Sequence, residues 1–236
     1  MSHDLPAEAN PRPRLRDTND WYETKDPLSV VDWSLVEAVH GHAGSAVLDV
    51  GCGLGGYSAA LKGLGHTCVG VDINPRYVET ACGIGVDARV YDGLRLPFAN
   101  RSFQTSFAIE VLEHVPDPGS LVAEAARVSS DGFLATVPNC SQDFGGAGVV
   151  FDHMLDADHR NFFTRESLAR LLRPFFAEVD VREIVPVNAE LARVLLPRPA
   201  ARVYRYLLRQ GWLRPTHYFR LLARCSRPHQ SGGSSA

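Results

Sequence analysis

A short apolar run carrying one acid breaks into glycines between Val47 and Tyr57: Val47-Leu48-Asp49-Val50-Gly51-Cys52-Gly53-Leu54-Gly55-Gly56-Tyr57. The apolar part reads as a buried strand, and Tyr57 to Lys62 as a helix ended by Gly63 and Gly65. Glycines let the backbone turn sharply and approach a ligand, and the helix that follows offers free N–H groups. Gly51, Gly53 and Gly56 also satisfy G-x-G-x-x-G, a pattern that by itself would equally announce a dinucleotide site.

Downstream, strands and helices alternate. Thr67–Asp72, Ala88–Asp92, Phe103–Ile109, Phe133–Val137, Val179–Ile184 and Tyr218–Ala223 read as further strands. Pro75 opens one helix, Leu121 to Val128 forms another, and Thr164 caps a third that runs to Leu172. Seven strands alternating with helices imply an α/β, doubly wound sheet, with ligands beyond the carboxyl ends of the strands. Acids occupy those ends. Asp72 closes the second strand, where a carboxylate can accept both hydroxyls of a ribose. Asp92 closes the third, where it can accept an amino proton. Asp49, two residues before the first glycine, would repel a pyrophosphate and so disfavours a nicotinamide cofactor.

At 236 residues with 45% hydrophobic and 22% charged side chains, one domain is expected. We place it at residues 17–225, between a Pro/Arg-rich flexible segment (1–16) and a Ser/Gly-rich flexible tail (226–236), with a helical insertion at about 188–215. The first residues hold no apolar stretch like that of a secretory signal, and no run is long enough for a membrane span. Five scattered cysteines with no C-x-x-C pair suit free thiols in a reducing cytoplasm. Residues 1–190 carry a net charge of −12 and residues 191–236 of +9, from nine arginines and no acid. Those arginines are expected to pair with the acidic body, although an anionic partner would also suit them.

The stretch Asp49-Val50-Gly51-Cys52-Gly53-Leu54-Gly55 resembles the first motif of class I S-adenosylmethionine-dependent methyltransferases. Asp92-Gly93, then Leu96-Pro97-Phe98 and Ser102-Phe103, is similar to a stretch of their small-molecule branch, with Gln104 replacing its usual aspartate. Glu110-Val111-Leu112-Glu113-His114-Val115-Pro116-Asp117-Pro118 resembles the fourth-strand motif of ubiquinone-type O-methyltransferases, and Asp158-His159 with Phe162-Phe163-Thr164 a late segment of many such enzymes. The resemblance covers about residues 45–185. It implies a Rossmann-like, mostly parallel sheet with helices on both faces, and S-adenosyl-L-methionine as cofactor. Carried over, Gly51, Cys52 and Gly53 would pass the methionine end and ribose. Asp72 with Ile73 would hold the ribose, Asp92 with Gly93 the adenine, and Glu110 would face the methionine portion. Asp49 would support the loop and the cofactor ammonium.

Methyl transfer to a hydroxyl needs a base, and His is the usual one near neutral pH. His114 follows the fourth strand; His153 and His159 follow the fifth. These three are the catalytic candidates, with His159 favoured. His40, His42 and His66 fall away from the carboxyl edge. No metal site is expected, since acids adjacent in sequence need not converge in space. The expected acceptor is a small molecule, most simply a hydroxyl in bacterial secondary metabolism, with N- or C-methylation as the alternative. A homodimer is compatible with the insertion. Nucleic-acid or protein methylation is less favoured: the body is acidic, and Glu110-Val111-Leu112-Glu113 stands where amino-methylating enzymes of this fold carry Asn/Asp-Pro-Pro-aromatic.

Overall fold

The structure is a computed structural model that describes residues 25–140, 158–213, 215 and 217–229. Seven strands form one sheet: β1 (Ala46–Val50), β2 (Thr67–Asp72), β3 (Asp87–Val90), β4 (Phe103–Ile109), β5 (Ser129–Pro138), β6 (Phe176–Pro186) and β7 (Tyr218–Pro228). Their order is β3-β2-β1-β4-β5-β7-β6, with β7 antiparallel to both of its neighbours and the β3-β2-β1-β4-β5 run parallel. The doubly wound, mostly parallel architecture expected from the sequence is the one observed.

Helix α1 (Trp33–His40) precedes β1, and α2 (Gly56–Gly63), α3 (Pro75–Gly83), α4 (Pro118–Val128) and α5 (Arg165–Leu172) lie between strands. Alternation along β1 sorts the core. Val47 packs with Val36 and Val39 of α1 and Ala60 and Leu61 of α2 on one face. Leu48 and Val50 pack with Leu121, Val122 and Ala125 of α4 and Leu168 and Leu172 of α5 on the other. Successive strand residues point to opposite faces, so a strand buried on both sides reads as a continuous apolar run.

Local chemistry sets the helix starts. Asn74 and Asp117 cap α3 and α4, each followed by Pro at the first helical position, where a missing N–H costs nothing. Thr164 and Ser167 exchange hydrogen bonds in a capping box at the start of α5, as the sequence leads one to expect of Thr164. Gln104, the departure from the family pattern, works at the opposite edge of the sheet. Its Oε1 accepts from the Ser45 and Ala46 N–H groups at 2.6 and 3.1 Å, tying β4 to the start of β1.

Several boundaries differ from the sequence reading; β5 starts at Ser129 rather than Phe133, and β6 spans Phe176–Pro186 rather than Val179–Ile184. β3 ends at Val90 rather than Asp92, so Asp92 stands just past the strand. β7 runs to Pro228, three residues into the segment expected as tail, because Ser226 pairs with Gly132 and Pro228 with Phe176. The insertion holds α6 (Val187–Leu195) and α7 (Arg198–Arg209). On α7, Val203 is exposed. The side of α7 turned inward carries Ala201, Tyr204, Leu207 and Leu208, because the 100° step per residue puts Val203 outside that sector. Among the described residues no helix is long and apolar enough to cross a membrane.

Candidate active site

The glycine loop leaves β1 through three left-handed residues, Gly51 (φ +74°), Gly53 (φ +52°) and Gly55 (φ +83°). A side chain at Gly51 or Gly55 would strain the backbone and also crowd Val111 or Ala81. Asp72, at the end of β2, fastens the loop. Its Oδ2 accepts from the Gly53 N–H and its Oδ1 from the Asn74 N–H, both at 2.9 Å. Each oxygen keeps a second acceptor direction for a hydroxyl. Burial raises the Asp72 pKa, opposed by these backbone bonds.

Asp49 lies under the loop, buried, and accepts a 2.7 Å bond from Ser58 Oγ on α2. Desolvation lifts its pKa to about 7, with Ser58 pulling down and Asp72 adding to the rise. Cys52 turns its thiol inward against Gly70, so anything it offers a ligand comes from its backbone. Burial raises that thiol's pKa far above its ordinary value.

Past β3, Asp92 Oδ1 accepts from the Leu94 and Arg95 N–H groups at 2.9 and 3.0 Å, and these bonds hold its pKa below the usual value. Ile73, largely exposed, stands next to Gly93, whose added Cβ would come within 3.2 Å of the Ile73 side chain. This apolar surface between Asp72 and Asp92 suits a flat ring. The loop after Asp92 is braced by Arg127, which donates to the carbonyls of Leu96 and Phe98 at 3.0 and 2.8 Å. Arg127 also pairs with Glu124 at 2.6 Å, and Glu124 accepts from the Leu96 N–H.

Past β4, Glu110 adopts φ +54°. Thr136 Oγ1 donates to its Oε1 at 2.8 Å, and Arg220 Nε lies 3.5 Å from its Oε2. Four residues on, His114 meets His159 edge to face, with ring centroids 4.6 Å apart. Asn161 makes this meeting possible. Its side chain donates to the carbonyls of Leu112 and Val115, and the Arg160 and Asn161 N–H groups donate to the Glu113 carbonyl. Buried Glu113 joins the pair: ligand atoms of Glu113, His114 and His159 lie within 4.8 Å of one another, close enough to share a metal ion. This cluster was not foreseen, because Glu113 sits inside the recognised motif without an evident role. His153 lies outside the described residues. His40, His66 and His42 sit at the other edge of the sheet: His40 bonds His66, His66 bonds the Gly44 carbonyl, and His42 bonds the Cys225 carbonyl.

Comparison with known proteins gives the family. Residues 48–136 match the model of a methyltransferase domain. A ubiquinone biosynthesis O-methyltransferase of Thiobacillus denitrificans is 31% identical over 189 residues, 73% of each chain. One from Xanthomonas oryzae is 32% identical over 188 residues, 70% of this chain and 78% of that protein. The chain belongs to the class I S-adenosylmethionine-dependent methyltransferases. In fold, it is similar to a methyltransferase of Thermotoga maritima, with a TM-score of 0.62 at 18% identity, covering 90% of this chain and 96% of that one.

The residues of this methyltransferase fit its cofactor, S-adenosylmethionine. Around the glycine loop, Asp72 and Asp92 would accept its hydroxyl and amino protons, and Glu110 would face its ammonium. When bound, the cofactor supplies a methyl group on a positively charged sulfur, open to in-line displacement. The protein's task is then to align the acceptor, exclude water and take up a proton. Ser58, Asp32, Glu113, Glu124, Arg127, Asn161 and Arg220 carry much of this arrangement and were missed by the sequence reading. Of these, only Glu113 stood inside a recognised motif.

Proposed function

We propose that the enzyme transfers a methyl group to a hydroxyl oxygen of a small molecule, with His159 as the general base and His114 packed beside it. The observation that carries this reading is the His114–His159 contact, made on the ligand edge by residues 45 positions apart. A ring held there can take an acceptor's proton while Glu110, Asp72 and Asp92 hold the cofactor. The O-methyltransferase names of the relatives support oxygen as the acceptor atom. α6 and α7 follow the carboxyl end of β6, the sheet edge where an acceptor would meet the cofactor. Free, mostly buried thiols support a cytoplasmic location. A role in bacterial biosynthesis is consistent with such an acceptor.

The test is to incubate the enzyme with cofactor and matched hydroxyl and amine versions of small aromatic acceptors, then follow product mass. A gain of one methyl on the hydroxyl member supports the reading; methylation of the amine member alone overturns it.

The Glu113–His114–His159 cluster favours a second reading, in which a divalent metal lies beside the acceptor. Imidazole and carboxylate are suitable ligands for one. Loss of activity to a chelator and its return with Mg²⁺ or Zn²⁺ would support it, and chelator-insensitive turnover would exclude it.

A further inference from the structure

Because β7 is antiparallel, its beginning lies at the carboxyl edge, where Arg220 stands opposite Pro138. The Arg220 guanidinium reaches two carboxylates from different parts of the chain. Its Nε is 3.5 Å from Glu110 Oε2, and its Nη1 is 3.3 Å from Asp32 Oδ2. Both separations exceed the roughly 2.7–2.9 Å of a saturated charge-assisted bond, and a guanidinium carries five donors. Arg220 is therefore bracketed by acids without being consumed by either.

The cluster opens outward: the three side chains are 32%, 33% and 28% exposed. It also abuts the glycine loop. Asp32 caps α1, and its N–H donates to Tyr57 Oη at 3.1 Å; Tyr57 lies in the first turn of α2, directly after the loop. Glu110 is held at positive φ, a conformation that costs a non-glycine residue energy and gathers at ligand sites. Two acids flanking one guanidinium match a zwitterion, which presents an ammonium and a carboxylate side by side.

We propose that Arg220 receives the carboxylate of the cofactor's amino-acid end while Glu110 receives its ammonium, with Asp32 holding the guanidinium in position. This rests on the cofactor lying along the glycine loop. Its consequence is selectivity: a nucleoside lacking the amino-acid end gains nothing from Arg220.

Calorimetric titration of S-adenosylhomocysteine and of 5′-methylthioadenosine separates this role from a purely structural one. The two share the adenosine and the sulfur, and only the first has the amino-acid end. Arg220→Gln is expected to weaken S-adenosylhomocysteine binding at least tenfold and to leave 5′-methylthioadenosine within about twofold. Arg220→Lys keeps the charge but loses the planar fork. It should show the same split at smaller size, and it carries the test if the glutamine variant does not fold. Asp32→Asn should act in the same direction more weakly. Equal weakening of both compounds, or of neither, would overturn the proposal by reducing Arg220 to a latch between α1 and the sheet. Failure of the unaltered protein to bind either compound would overturn the cofactor placement, and the proposal with it.

Discussion

His159 lies edge to face against His114 with ring centroids 4.6 Å apart, although a whole strand and the helix before it separate the two in the chain. If His159 is the base, His159→Ala should lower kcat by about 10²–10⁴-fold, the usual contribution of general base catalysis. The cofactor dissociation constant should stay within about twofold. His114, closer in sequence to Glu110, should affect both rate and cofactor binding when replaced by Ala. Steady-state kinetics beside calorimetry checks the pair; near-normal turnover of His159→Ala would make the residue structural.

Asp49 predicts an unusual pH dependence of stability. Its pKa is about 7 in the folded protein against an ordinary 3.8, so the folded state holds the proton more tightly. Asp49 therefore costs nothing below about pH 4, and stability is lost as pH rises towards 7. At about 1.4 kcal/mol per unit, the loss is on the order of 4 kcal/mol. Asp49→Asn stays neutral and can still accept from Ser58. Thermal unfolding should show the variant more stable than the parent at pH 8, with the gap closing as pH falls. A gap independent of pH would contradict the buried-charge account.

Arg127 anchors the loop behind Asp92 through Leu96, Phe98 and Glu124. The Glu124–Arg127 pair is mostly covered, so removing one partner leaves polar groups under-satisfied. Arg127→Ala should cost about 2 kcal/mol, after allowance for the part that water still screens. A lower urea midpoint at unchanged slope would show this, and an unchanged midpoint would deny it.

The parts of the site built from local chain were legible in the sequence, because a strand, a turn and a cap each impose a short pattern. Gly51, Gly53 and Gly55 had to be glycine for backbone reasons, and Asp72 and Asp92 followed from the rule that ligands gather at strand ends. Family resemblance added Glu110. The parts built by tertiary approach left no such mark. Arg220 is one of nine arginines in an arginine-rich stretch, and nothing local separates it from Arg224 or Arg227. Only the reversal of β7 brings it to Glu110. Asn161 likewise looks like an ordinary loop residue until its amide is seen bridging two carbonyls of the loop after β4. The end of β7 was misplaced for a related reason. Ser226 and Pro228 have weak strand preferences, and pairing with β5 and β6 overrides them.

The placement of the cofactor along the glycine loop is tested most directly by titrating S-adenosylhomocysteine into Asp72→Ala. Asp72 fastens Gly53 and, on this placement, would present its carboxylate to the ribose hydroxyls, so its loss should weaken binding at least tenfold, about 1.4 kcal/mol. Asp72→Asn, which preserves the bond from the Gly53 N–H while removing the charge, should fall between the two. A dissociation constant unchanged in Asp72→Ala would contradict the site.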